Sequence, residues 1–503
     1  MARRKLKVLL VANRGEIALR IIRTARAMGL RTVAVFSEAD AHSAHVAAAD
    51  DARLIGGAPA AESYLNIDSI IAAARETGAD AIHPGYGFLS ERPEFARAVE
   101  QAGLIFVGPR ADVMAQLGDK ISARKLAIAA GVPVVPGLEA AAPDAACEFA
   151  AREGFPILVK AAAGGGGRGM RVVESAEVCV AALEAASREA LSAFGDGRVF
   201  IEKYLARPRH IEVQFLGDEK GNIVTMGERD CSIQRRHQKI VEESPAPHLS
   251  NTARDAMLAA ATRLARAAGY TNAGTAEFLV DGDRFYFLEV NARLQVEHPI
   301  TEIRFGCDLV EEQLKIACGE EIAPPSAPRG CAIECRINAE DASAGFRPAI
   351  GIVLDLRVPA GPGVRFDTHL ARGSEVTPFY DGLLGKLITC GSDRKQARAR
   401  MVAALDELAI LGVTNTAAFL RDVIASEAFG AADLSTRFIE EQFSHWPSED
   451  QALTEAALIA ASLTASGALG IRPTEAAAQL NAADGADRSP WKALGGFELW
   501  KRQ

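Results

Sequence analysis

Phe287-Leu-Glu-Val-Asn-Ala-Arg-Leu-Gln-Val-Glu-His-Pro299 carries the densest chemical pattern in the chain. Taken with a period of two, Glu289, Asn291, Arg293, Gln295 and Glu297 fall on one set of positions; Leu288, Val290, Ala292, Leu294 and Val296 fall on the other. On an extended backbone the second set packs on a core and the first lines up two carboxylates, two amides and a guanidinium. An amphipathic strand with a polar outer face also produces alternation. Solvent-facing strands more often carry Lys, Thr or Ser, however. A functional row of this composition would hold metal ions at one end and a small anion near the other.

The surrounding chain narrows the classes available. At 503 residues it exceeds one hydrophobic core, so two to four domains are expected. With 49% hydrophobic and 24% charged residues it has the make-up of a water-soluble globular protein. The net charge of −9 disfavours a general nucleic-acid binder. No apolar run reaches bilayer length, so no membrane span is expected. Met1–Leu10 passes directly from a basic start into an apolar strand, without the pattern of a cleaved signal peptide. The cysteines, Cys147, Cys179, Cys231, Cys307, Cys318, Cys331, Cys335 and Cys390, form neither a CxxC pair nor a zinc-site spacing. Scattered thiols fit a reducing, cytoplasmic setting.

The N-terminal part alternates strand and helix. Lys7–Ala12, Arg31–Phe36, Ala81–His83 and Leu104–Val107 read as strands, and Glu16–Met28 and Ile67–Thr77 as helices, which predicts a parallel sheet covered on both faces. The dinucleotide fingerprint Gly-x-Gly-x-x-Gly is absent, and Asn13-Arg-Gly-Glu-Ile17 stands in its place. Composition shifts at Gly131-Val-Pro-Val-Val-Pro-Gly137. Beyond it, Phe155–Lys160 and a strand from Met170 bracket Gly164-Gly-Gly-Gly-Arg-Gly169. Such a run is either a flexible linker or a glycine hairpin whose N–H groups cradle phosphate oxygens, and bracketing by two strands favours the hairpin. No Walker A sequence occurs, since Leu387 follows Gly385-Lys386.

Downstream, Phe200-Ile-Glu-Lys-Tyr-Leu205 reads as an adenine and ribose contact or as a common surface Glu-Lys pair, and Gln234-Arg-Arg-His-Gln-Lys239 is either a solvated basic face or a phosphate and anion pocket. Glu277–Glu289 reads as a hairpin with Asp281-Gly282 in its turn. With an odd number of turn residues, Glu277 would share a face with Glu289 and Asn291, offering oxygens to Mg²⁺. His83 reads as a turn-shaping residue, and Phe379-Tyr-Asp381 as either a substrate-access or a subunit-contact segment.

Asn13–Ala18, His83-Pro-Gly-Tyr-Gly-Phe-Leu-Ser-Glu91, Gly164–Gly169, Glu228-Arg-Asp-Cys-Ser232, Gln234–Lys239, Arg293-Leu-Gln-Val-Glu-His-Pro299 and Glu334-Cys-Arg-Ile-Asn-Ala-Glu340 together resemble biotin carboxylase, the ATP-grasp component of biotin-dependent carboxylases, over about residues 5–445. The resemblance implies an α/β fold with an N-terminal Rossmann-like (pre-ATP-grasp) domain at 1–118 and a linker at 119–138. An ATP-grasp lid follows at 139–207, then the core with the C-terminal domain at 208–447, and a helix and tail at 448–503. It implies ATP contacts at Lys120, Lys160, Gly165, Gly166, Gly167, Glu202, Lys203, Leu205, His210, Gln234, His237, Glu277 and Glu289. One or two Mg²⁺ or Mn²⁺ ions are implied on Glu277, Glu289 and Asn291, and a bicarbonate pocket at Lys239, Arg293, Gln295 and Val296. Glu297 would act as base and Arg336 would face the biotin ring; Lys239, Arg293, Glu297 and Arg336 are then the catalytic set.

The implied activity is that of a ligase: bicarbonate attacks ATP to give carboxyphosphate and ADP, and the CO₂ released carboxylates biotin. No Met-Lys dipeptide of the biotin-attachment type occurs, so biotin is expected on another polypeptide or on a continuation of this one. Ser489-Pro-Trp-Lys-Ala-Leu-Gly-Gly-Phe497 is similar to the segment before the transferase-contact and carrier regions of acyl-CoA carboxylase α subunits. The expected partners are a biotin carboxyl carrier protein or domain and a carboxyltransferase β subunit, in a homo-oligomer or α/β complex. The competing readings are a different ATP-grasp ligase and a non-catalytic nucleotide-sensing subunit.

Overall fold

The computed structural model describes residues 4–140, 143–161, 170–195 and 197–446. The chain divides into the units Met1–Trp446 and Pro447–Gln503; the second, with the expected tail at 448–503, lies outside the described residues, as does the glycine run containing Gly165, Gly166 and Gly167.

Strands β1 (Val8–Val11), β2 (Arg31–Ser37), β3 (Asp51–Gly56), β4 (Ala81–His83) and β5 (Ile105–Phe106) form a five-stranded sheet in the order β3-β2-β1-β4-β5, with every neighbouring pair parallel. Helix Gly15–Ala27 follows β1 and buries Ile17, Ile21, Ile22 and Ala25, while Ile67–Thr77 ends at Gly78 in the left-handed region (φ 66°). These are doubly wound units, as the alternation of short apolar runs and amphipathic segments requires. The sheet has no private core. Leu10, Val33, Ile70 and Phe95 join one cluster with Phe215, Met257, Phe278, Phe287 and Val290 from further along the chain.

The segment expected as a linker, 119–138, contains helix Lys120–Ala129, capped by Asp119, whose carboxylate accepts from the Ser122 N–H at 2.8 Å. A smaller antiparallel sheet follows, formed by β6 (Gly137–Ala140), β7 (Ile157–Ala161), β8 (Met170–Val173) and β9 (Val199–Lys203) in the order β6-β9-β7-β8. Its core of Phe149, Ile157, Val159, Leu183 and Ile201 is its own.

The third sheet is the frame for the site. Strands β10 (Arg209–Gly217), β11 (Ile223–Arg235), β12 (Gln238–Ser244), β13 (Asn272–Asp281), β14 (Arg284–Asn291), β15 (Cys331–Asn338), β16 (Val364–Thr368) and β17 (Leu383–Gly391) run in the order β14-β13-β10-β11-β12-β15-β17-β16. Directly paired residues of antiparallel strands project to the same face. Glu289 pairs with Glu277, Glu277 with Glu212, and Glu212 with Arg229, so four adjacent strands put charged groups in one row. At the other end of the sheet Glu242 pairs with Glu334, Arg336 with Lys386, and Lys386 with Asp367.

Two expectations about the opening stretch are corrected. The hairpin turn is Gly282-Asp283, because Asp281 pairs with Arg284. A two-residue turn would set Glu277 opposite Leu288, yet the register shifts between Glu277 and Phe278, leaving Leu288 unpaired. This β-bulge, not an odd turn, brings Glu277 and Glu289 together, and it allows Phe287 and Val290 to enter the same core. The strand also ends at Asn291. Arg293, Gln295 and Glu297 lie on an irregular segment that leads into helix His298–Phe305, so period-two alternation does not govern their directions.

Candidate active site

Glu277 is the hub of the cleft. Its Oε1 accepts from Lys239 Nζ at 2.7 Å, from Asn291 Nδ2 at 2.7 Å and from Gln295 Nε2 at 3.2 Å, and its Oε2 lies 2.7 Å from His210 Nε2. Burial opposes ionisation of this carboxyl, but Lys239 and His210 outweigh it and hold Glu277 well below the carboxylate range. Burial likewise opposes the charge on His210, and Glu277 overcomes it, raising the imidazole.

Lys239 enters from the start of β12 and reaches three carboxylates: Glu212 at 2.5 Å, Glu277 at 2.7 Å and Glu297 at 2.9 Å. Despite burial, these acids raise the Lys239 ammonium well above its ordinary value. Glu297, fully buried, accepts from Lys239 on Oε1 and from Arg336 Nη2 on Oε2 at 2.9 Å. The cations prevail over burial and keep Glu297 ionised. Arg336 Nε also donates to Glu242 at 2.6 Å; burial, opposed by Arg336, pushes that carboxyl up to about 7.

Arg293 donates to Glu91 (2.8 Å), Gln295 Oε1 (3.0 Å) and Asn291 Oδ1 (3.0 Å), so the guanidinium and both amides of the opening row belong to one network with Glu277. Val296 presents its carbonyl to Lys386 Nζ at 3.0 Å.

The residues expected around the nucleotide come from the small sheet, its connection to β10, strands β10 and β11 with the turn that follows, and the helix at Lys120. Lys160 on β7 forms an ion pair with Glu202 on β9, whose other oxygen lies 3.4 Å from Arg124. Lys203 ends β9, and its N–H donates to the Pro136 carbonyl at 2.9 Å; Leu205 sits in the connection to β10. Gln234 Nε2 contacts His210 Nδ1 at 2.6 Å. His237 is exposed in the left-handed Arg236-His237 turn between β11 and β12. Lys120, at the start of its helix, acts electrostatically on Glu289.

Glu289 accepts no hydrogen bond and makes no ion pair among the described residues, and burial together with Glu277 raises its carboxyl. Two opposed carboxylates with an amide beside them suit a hard divalent cation such as Mg²⁺ or Mn²⁺, which takes oxygen ligands. A different donor set, His210, Glu212 and Glu277, brings its atoms within 4.8 Å of one another. Lys239 sits on Glu277 in either set, but Glu212 is also held by Arg229, whereas Glu289 has no ion pair among the described residues, which makes the Glu277–Glu289 side the better fit.

Several members of the network escaped the reading of the motifs. Arg229 is wholly buried; it donates to Glu212 (2.5 Å), to Gln214 and Thr301 (2.9 Å each) and to Thr275 (3.3 Å). The alternation His210-Ile-Glu-Val-Gln214 was a signal for Glu212, whereas Glu242 and Glu91 meet the site only through folding. His83 is buried, with its Nδ1 accepting from the Gly85 N–H at 3.0 Å, and burial lowers it to about 4, which leaves a neutral ring shaping the turn.

A small antiparallel sheet with its own core, and a larger antiparallel sheet on which acids, Lys and Arg converge, are the arrangement of an ATP-grasp ligase. Residues 5–114 match the family described as "Biotin carboxylase, N-terminal domain", 119–324 match "Carbamoyl-phosphate synthase L chain, ATP binding domain", and 334–441 match "Biotin carboxylase C-terminal domain". The chain belongs to the biotin carboxylase family. It is 47% identical over 443 residues to a biotin carboxylase of Pseudomonas aeruginosa, covering 87% of this chain and 98% of that one. It is 48% identical over 438 residues to a biotin carboxylase of Allochromatium vinosum, covering 86% and 97%. With the human mitochondrial propionyl-CoA carboxylase alpha chain it shares 47% identity over 86% of this chain and 61% of that one. Among solved structures, the biotin carboxylase domain dimer of Hydrogenobacter thermophilus 2-oxoglutarate carboxylase, in complex with MgADP, ADP and bicarbonate, superposes with a TM-score of 0.81 at 43% identity, covering 87% and 97%.

Proposed function

We propose that this chain carboxylates biotin held on a carrier protein or domain, using ATP and bicarbonate by way of carboxyphosphate. The observation that carries the reading is Glu297, fully buried and bridging Lys239 and Arg336 beside the Glu277–Glu289 pair. Arg293, Gln295, Val296 and Lys239 form the bicarbonate pocket. Lys120, Lys160, Glu202, Lys203, Leu205, His210, Gln234, His237 and the glycine run contact ATP. Glu277, Glu289 and Asn291 would hold one or two Mg²⁺ or Mn²⁺ ions, which neutralise phosphate oxygens when bound.

Phosphoryl transfer depends mainly on alignment and charge. Lys239 and Arg293 hold the bicarbonate anion, and Glu297 removes its proton as the oxygen attacks the γ-phosphate. The Lys239 ammonium, drawn toward bound anions, leaves Glu297 more basic than it is in the free site. Carboxyphosphate then yields CO₂ and phosphate beside the ureido ring; phosphate takes the ring N–H proton, and Arg336 stabilises the enolate-like oxygen.

The carrier and a carboxyltransferase β subunit complete the cycle, and the Ser489–Phe497 segment favours an acyl-CoA acceptor. No helix among the described residues is long and apolar enough to cross a membrane. The test is ATP hydrolysis in the presence of bicarbonate, with and without free biotin. Biotin-stimulated ADP release supports the reading. Nucleotide binding without turnover would indicate a sensing subunit, and stimulation by an amine or another carboxylate would indicate a different ligase.

A further inference from the structure

Lys386 is fully buried, a rare placement for lysine, which loses its hydration on burial unless close partners compensate. Its partners come from separated parts of the chain. Nζ donates to the Val296 carbonyl at 3.0 Å and lies 3.3 Å from Glu16 Oε1, on the helix that follows Asn13-Arg-Gly. The same ammonium is 5.8 Å from the centre of the Tyr86 ring. In register, Lys386 stands between Arg336 and Asp367 on the face that meets the cleft. A methionine could fill such a strand position without a desolvation cost, so stability alone does not account for an ammonium here.

Val296 immediately precedes Glu297, and the planar peptide between them means that fixing the Val296 C=O also fixes the Glu297 N–H and the direction of its Cα. A carbonyl left free to turn into the pocket would point a partial negative charge at the bicarbonate anion. We propose that Lys386, with Glu16 as its counter-charge, is a positioning residue for carboxylation. It holds the Val296 carbonyl out of the bicarbonate pocket and so sets the peptide from which Glu297 reaches Lys239 and Arg336. The inference rests on the biotin carboxylase reading above and assigns a task to Glu16 in the N-terminal motif.

The test compares Lys386→Met and Glu16→Gln with the unmodified chain in the biotin-stimulated ATPase, alongside thermal unfolding. Lys386→Met raises the KM for bicarbonate about tenfold and leaves the KM for ATP within about twofold; Glu16→Gln moves the bicarbonate KM the same way by about threefold. A purely structural lysine would move both constants together or neither, and either result overturns the proposal. Should Lys386→Met fail to fold, Glu16→Gln decides, and an unchanged bicarbonate KM in that variant refutes the role. An unmodified chain that biotin does not stimulate counts against the functional reading itself, whereas an active chain with neutral variants counts against this inference alone.

Discussion

Glu277 stands directly opposite Glu289 across β13 and β14, and it does so because Leu288 is an extra, unpaired residue in β14. The bulge converts a hairpin that would pair a carboxylate with leucine into one that presents two carboxylates on one face. Their mutual repulsion, in a buried setting, is what a divalent cation would relieve.

Replacing Glu289 with Gln therefore weakens metal dependence before it weakens the fold. The Mg²⁺ concentration for half-maximal ATPase activity is expected to rise about tenfold, with kcat reduced about a hundredfold. A metal titration of the steady-state rate checks this, and an unchanged midpoint would remove Glu289 from the metal site.

Arg229 neutralises Glu212 from below the cleft, with both side chains wholly buried. Arg229→Met leaves Glu212 only a share of the Lys239 ammonium, which also serves Glu277 and Glu297, and should cost about 3–5 kcal/mol in urea unfolding. Adding Glu212→Gln removes the under-compensated charge, so the double variant should recover part of the loss. A double variant no more stable than Arg229→Met would show that the pair does not act as a unit.

Arg336 shares its guanidinium between Glu242 and Glu297. Arg336→Ala leaves both acids without that cation and removes the group facing biotin. Biotin-stimulated turnover should fall by about two orders of magnitude, while ATP binding, read by nucleotide titration, stays within a few-fold. Equal losses in both would point instead to collapse of the cleft.

Asp40 supplies a pH test away from the reaction. Burial would raise this carboxyl, but two hydrogen bonds from Arg14 (2.6 and 2.7 Å) and one from Tyr64 (2.6 Å) hold it at about 2. Lying below its ordinary 3.8, Asp40 stabilises the fold above about pH 4, and that stabilisation is lost as pH falls toward 2. It is worth about 2 kcal/mol. The unfolding free-energy gap between the unmodified chain and Asp40→Asn should shrink by about this amount between pH 7 and pH 2. A gap that does not change with pH would rule the linkage out.

Much of the layout was legible in the residue order. Ile67–Thr77 is a helix over the residues expected, and β1, β2 and β4 fall within a residue of their apolar runs. Such elements are decided locally, by side-chain periodicity and by the backbone freedom of glycine. The motif residues Lys239, Glu277, Arg293, Glu297 and Arg336 do converge. Alternation was nevertheless the wrong reason for Arg293 and Glu297, which lie past the end of the strand.

By itself the order of amino acids determined the family, the alternating α/β start and the set of acids, amides and cations from which the cleft is made, because each is written in contiguous residues. Tertiary structure alone decided that Leu288 drops out of register, that Arg229 and Glu242 balance the charge of the site, and that Lys386 closes over Val296 from a strand ninety residues away. Those partners share no local pattern. They are selected by the cost of leaving a buried charge unpaired, a cost that exists only once the chain has excluded water from the cleft.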